Sequence, residues 1–118
     1  MSLGYVLEKF SSCLYELAAS DSRNPKYRAK QAFLSVYFIP PCEIPNSCQS
    51  AFVAFKTSAT WCDPKGDEGS HEATLLISSE EQCTEMVKLF CKVHELLQRE
   101  ALNASYQAQA QAPGSEGR

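Results

Sequence analysis

QAFLSVYFI, residues 31–39, is the stretch on which the reading of the whole chain turns. Ala32, Leu34, Val36 and Phe38 take one side of an alternating pattern. Phe33, Ser35, Tyr37 and Ile39 take the other. Period-2 alternation of apolar and aromatic residues is the pattern of a strand. Two apolar sides predict a central strand, or one that shows aromatics to a partner. Pro40 and Pro41 end it, because proline cannot donate to a ladder.

The same reading extends downstream. AFVAFKTSATW, 51–61, alternates Val53, Phe55, Thr57, Ala59 and Trp61 with Phe52, Ala54 and Lys56, and predicts a second strand. EATLLIS, 72–78, predicts a third, after the turn-rich loop CDPKGDEGSH. Two amphipathic helices enclose these elements. Over residues 3–19, Leu3, Val6, Leu7, Phe10, Cys13, Leu14 and Leu17 share one face, with Ser2 as N-cap. SDSRNP, 20–25, stops that helix. From about 80 to 102 the stripe is Cys83, Met86, Val87, Phe90, Val93, His94, Leu97 and Ala101. Ser78 with Glu81, or Ser79 with Gln82, fits a capping box at its start. The expected fold is therefore α+β in α-β-β-β-α order. A small antiparallel sheet would be covered on one face by the N- and C-terminal helices. Residues 1–102 form one compact domain, and 103–118, rich in Ala and Gln, a flexible tail.

Composition narrows the function. The chain has 118 residues, 44% of them hydrophobic, and six cysteines. No run approaches the ~20 apolar residues of a membrane span, and Glu8, Lys9 and Glu16 break up the start where an export signal would lie. Cytoplasm or nucleus is expected, with the cysteines as thiols and the Asn103 sequon unread. The net charge of −3 is polarised: residues 1–62 carry six Lys/Arg against four Asp/Glu, and 63–118 five against ten. Such a balance suits self-association or a charged protein partner, and is too weak for a general nucleic-acid binder.

Candidate chemistry is sparse. Cys42 and Cys48 flank a Pro-rich connection with a spacing wider than zinc motifs use, and Cys62 and His71 lie in another loop. They predict loop thiols and no metal. DPKGDEG fails the calcium-loop pattern, with Glu68 at the sixth position and Thr74 at the twelfth. No nucleophile elbow and no phosphate-binding glycine motif occurs. His94 falls on or beside the apolar stripe, where packing is the simpler role. No catalytic residue and no cofactor is expected.

Binding is better supported. RNPKYRAK, 23–30, gathers Arg23, Lys26, Arg28 and Lys30 around Tyr27, a set able to hold phosphates, an acidic peptide or a lipid head group. Phe33 and Tyr37 are the aromatics assigned to an outer sheet face. Glu43 and Ile44 would be presented by the connection stiffened by Pro40, Pro41 and Pro45. The chain thus reads as a non-enzymatic protein-interaction module, a subunit or adaptor of a larger assembly, as a homo- or hetero-dimer.

The strand-to-helix junction LLISSEEQ, 75–82, with the long helix and Ala-rich tail after it, resembles the small Alu-RNA-binding subunits of the signal recognition particle. That resemblance implies a sheet paired with a second subunit and RNA on its concave face. The basic face stops at Arg23 to Lys30 and Lys56, which places protein binding ahead of RNA. The ending EATLLISSEEQCTEMVKLFCKVHELL, 72–97, is also similar to the last strand and helix of pleckstrin-homology-like domains, and implies lipid or peptide binding.

Overall fold

The computed structural model describes residues 1–64 and 69–111. Five α-helices follow one another: α1 (Leu3–Ala19), α2 (Pro25–Val36), α3 (Asn46–Thr60), α4 (Ser70–Ile77) and α5 (Glu80–Gln111). A short 3-10 turn, Pro41–Glu43, lies between α2 and α3. There is no strand among the described residues, so the expected α+β class is corrected to all-α. Both family resemblances lose their footing with it, since each requires a sheet.

The reason lies in periodicity. Asn24 caps α2, its Oδ1 accepting from the amides of Lys26 at 2.9 Å and Tyr27 at 3.3 Å. Pro25 sits in the first turn, where its missing N–H costs nothing and its fixed φ favours the helix. The dipeptide Asn24-Pro25 therefore starts a helix, whereas α1 has already ended at Ala19 with Ser20 as its C-cap. From there Ala29, Ala32, Phe33 and Val36 are buried. Their spacing is that of a helix face. Leu34, Tyr37 and Phe38 remain exposed. The alternation arises because exposed aromatics fill the gaps between the core positions.

α3 repeats the case. Its buried residues, Cys48, Phe52, Phe55 and Ala59, sit four, three and four apart, while Val53 faces outward. α4 has eight residues, too few to stand alone. Neighbours hold it. Thr74 Oγ1 accepts from the Cys62 amide at 3.0 Å, and His71 Nδ1 lies 2.9 Å from the Ala59 carbonyl oxygen. The third expected strand is this helix.

α1 and α5 coincide with the two expected helices. Ser2 Oγ accepts from the Tyr5 amide at 3.1 Å. At the head of α5 the capping box is the Ser79–Gln82 one: the Ser79 amide donates to Gln82 Oε1 at 2.8 Å and the Gln82 amide to Ser79 Oγ at 3.1 Å. Ser78 turns back to cap α4, donating to the Thr74 carbonyl at 2.6 Å. α5 continues past 102 to Gln111, with Leu102 and Tyr106 exposed along it. Residues 112–118 of the expected tail lie outside the described residues, as do the central positions of DPKGDEG.

α5 is the axis of the bundle. α1, α2 and α3 pack around it, and α4 rests on α3. Four fully buried phenylalanines form the centre. Phe10 stacks on Phe90 at 4.7 Å, meets Phe52 edge-on at 6.1 Å, and Phe55 meets Phe90 edge-on at 5.4 Å. Removing one such ring costs about 3–5 kcal/mol, a large part of a domain's stability.

Candidate functional site

The helix in 25–36 splits the basic run into two directions. Arg23 and Arg28 turn back to the end of α1. Arg28 Nη1 donates to the Leu17 carbonyl at 3.0 Å, and Arg23 Nη1 to the Ser20 carbonyl at 2.7 Å. Both guanidinium groups thus satisfy carbonyls that the end of a helix leaves without partners. With Pro25, Val87, Lys88 and Cys91 they line a groove of about 420 Å³ between the start of α2 and α5. Lys26 is half-buried at the head of α2.

Tyr27 and Lys30 lie on the outer side of α2. There Tyr27, Leu34, Tyr37 and Phe38 are each 43–52% exposed. The Tyr37 and Phe38 rings meet edge-on at 6.1 Å. Lys56 Nζ donates to the Tyr37 carbonyl at 3.1 Å and ties the end of α2 to α3. Among the described residues no carboxylate pairs with Arg23, Lys26, Arg28 or Lys30, whereas Lys88, Lys92 and Arg99 on α5 each have a glutamate within 4 Å.

The other expected contact residues fall elsewhere. Phe33 points into the core and stacks on His71 at 4.0 Å, so it is no outer-face aromatic. Ile44 is buried. Its side chain packs inward while Pro40, Pro41 and Cys42 of the same connection stay exposed, so the connection does not present it. Glu43 accepts from the Met1 ammonium at 2.8 Å, which ties the N-terminus to the turn before α3.

The thiols divide in the same way. Cys48 is wholly buried and Cys42 exposed. Burial pushes the Cys48 pKa up, with a smaller opposing effect from Ser47, so this thiol is held protonated. Burial likewise raises Cys13 and Cys83. No group of three or more His, Cys, Asp or Glu among the described residues could hold a metal ion.

Ser11 Oγ lies 3.0 Å from His94 Nε2, the pairing of a nucleophile and a base. Both residues sit in mid-helix, where backbone N–H groups are taken up by the ladder. No amide is left there to stabilise an oxyanion, and the bond acts as a tie between α1 and α5. Burial lowers the His94 pKa.

Two features came from no sequence signal. His71 Nε2 is buried without a hydrogen-bond partner among the described residues, and burial is the main cause of its lowered pKa. A second, wider groove of about 1050 Å³ joins the first at Pro25, Thr84 and Lys88 and runs past Trp61, Glu80, Glu81 and Glu85. Its walls come from α2, α3 and α5, which no local motif could join.

No protein-family model matches the chain, and neither curated proteins nor solved structures contain a match to it. No helix among the described residues is long and apolar enough to cross a membrane.

Proposed function

We propose that this chain is a non-enzymatic protein-interaction module, a subunit or adaptor that docks a protein partner through the outer side of α2. One observation carries the reading. Tyr27 and Leu34 on α2, and Tyr37 and Phe38 in the turn directly after it, stand exposed, and Lys30 of the same helix has no carboxylate partner among the described residues. Grouped exposed aromatics are unusual on a surface that meets only water, and aromatic anchors beside a cation are the usual centre of a protein interface. A protein surface with apolar area and a carboxylate opposite Lys30 suits this face best.

The test is capture of partners by the tagged protein from cell extract, with and without ribonuclease, beside the triple variant Leu34→Ser, Tyr37→Ser, Phe38→Ser. All three side chains are half-exposed, with Tyr37 stacked on Phe33 at 5.8 Å, and circular dichroism verifies that the variant keeps the helical fold. A defined protein that survives ribonuclease and is lost with the variant supports the reading. Partners lost with ribonuclease would transfer it to RNA. Capture unaffected by the variant would remove α2 as the docking face.

A further inference from the structure

The exposed side of α5 carries an ordered charge pattern. Glu81, Glu85, Lys88 and Lys92 follow at steps of four, three and four on one stripe, two acidic residues and then two basic ones, before Glu95 and Arg99 continue it. The two joined grooves extend each half. Glu80 lies beside the acidic end, and Arg23 and Arg28 beside the basic end. Within the molecule these charges are only partly matched. Lys88 pairs with Glu85 at 3.2 Å, and Lys92 reaches Glu95 at 3.9 Å. Glu80 and Glu81 have no cation, and Arg23 and Arg28 no carboxylate, among the described residues.

We propose that this face is where a second copy of the chain docks, with the two α5 helices antiparallel about a two-fold axis between Met86 and Val87. That axis sets Glu81 against Lys92 of the second copy and Glu85 against its Lys88. By symmetry each contact occurs twice, as an isologous interface requires. It also brings the unmatched Glu80 and Glu81 towards the unmatched Arg23 and Arg28 of the other copy. Antiparallel helix dipoles favour the same arrangement. Over 81–92 the charge order reverses across one point, so this segment is complementary to itself under a two-fold, while Glu95 and Arg99, paired with each other at 2.8 Å, lie beyond it. Exposed ion pairs are individually weak, so the dimer is reversible and salt-sensitive, with charge fixing its register. The inference stands apart from the α2 reading, since it uses a different face.

Sedimentation velocity over a concentration series up to several hundred micromolar tests it, with two variants. Glu81→Lys with Glu85→Lys makes the 81–92 segment wholly basic, and Lys88→Glu with Lys92→Glu makes it wholly acidic. All four residues are exposed, and circular dichroism verifies that both variants keep the fold. The parent is expected to dimerise with rising concentration and less so with added salt. Each variant alone should self-associate at least about tenfold more weakly, because like charges then face each other. An equimolar mixture of the two should recover a one-to-one heterodimer. A parent that stays monomeric throughout, a dimer indifferent to both variants, or a mixture that fails to associate would each overturn the proposal.

Discussion

Phe33 and Phe38 allow one substitution to be made twice with opposite expectations. On an alternating strand Phe38 shares the side of Leu34 and Val36, and Phe33 lies on the outer side. In the helical bundle Phe33 is 8% exposed and Phe38 43%. Phe33 stacks on His71 at 4.0 Å and packs against Phe55 at 6.4 Å, both contacts between elements. Phe33→Ala removes the ring from a site closed by α2, α3 and α4, and should cost about 3–4 kcal/mol, the transfer term plus a cavity. Phe38→Ala loses an edge contact to Tyr37 and a half-exposed ring, leaves no cavity, and should cost about 1 kcal/mol. Urea denaturation followed by circular dichroism reads the difference as a shift in midpoint at constant slope. Equal losses, or a larger loss at Phe38, would refute the assignment of α2's buried face.

Other consequences of the packing are open to measurement. His71 has its pKa lowered by burial first and by nearby Lys30 second, against the opposing effects of Ala59 and Glu72. The unfolded chain therefore takes up a proton before the folded one does. Stability from this residue is complete above about pH 6.5 and falls as pH drops from there to the lower folded pKa. His71→Phe should remove part of that slope in urea midpoints measured across pH, leaving the share due to His94; an unchanged slope would sink the argument. Asn24→Ala should cost about 1 kcal/mol through loss of the α2 cap, read from thermal or urea unfolding. Thiol labelling of the native protein should modify Cys42 quickly and Cys91, exposed but with its pKa raised by burial, more slowly, whereas Cys13, Cys48 and Cys83 should wait for unfolding. Fast labelling of Cys48 would contradict its place in the core.

The two outer helices were legible because their apolar residues leave only one period open. In α1 and over residues 80–101 of α5 most exposed positions are charged, polar or small, so the three-and-four spacing stands clear despite Tyr5 and Tyr15. α2 and α3 hid the same spacing. Leu34, Tyr37 and Phe38 add exposed apolar residues between the buried Phe33, Val36 and Ile39, and both parities of the stretch then look apolar. Asn24-Pro25 carried the missing signal, since a capping side chain followed by proline at the first position marks a helix start as well as a stop. The basic run was visible as a cluster. Its division into Arg23 and Arg28 on one side and Lys30 on the other depends on a rotation of about 100° per residue that a strand lacks. Glu43 and Ile44 were neighbours in a loop by sequence. One now holds the N-terminus and the other lies in the core, because burial of a loop residue is decided by what passes over it.

α5 supplies the surface on which α1, α2 and α3 assemble, and of the five described helices it is the last to be synthesised. Phe10 is made early and stacks on Phe90, which is made late. While the chain emerges from its N-terminus, the apolar stripes of the first four helices have only one another to cover them. The bundle cannot close until α5 is free to enter it. Contacts that span so much of the chain slow folding relative to a bundle of sequential hairpins, and leave Phe10, Phe52 and Phe55 open to a chaperone in the interval.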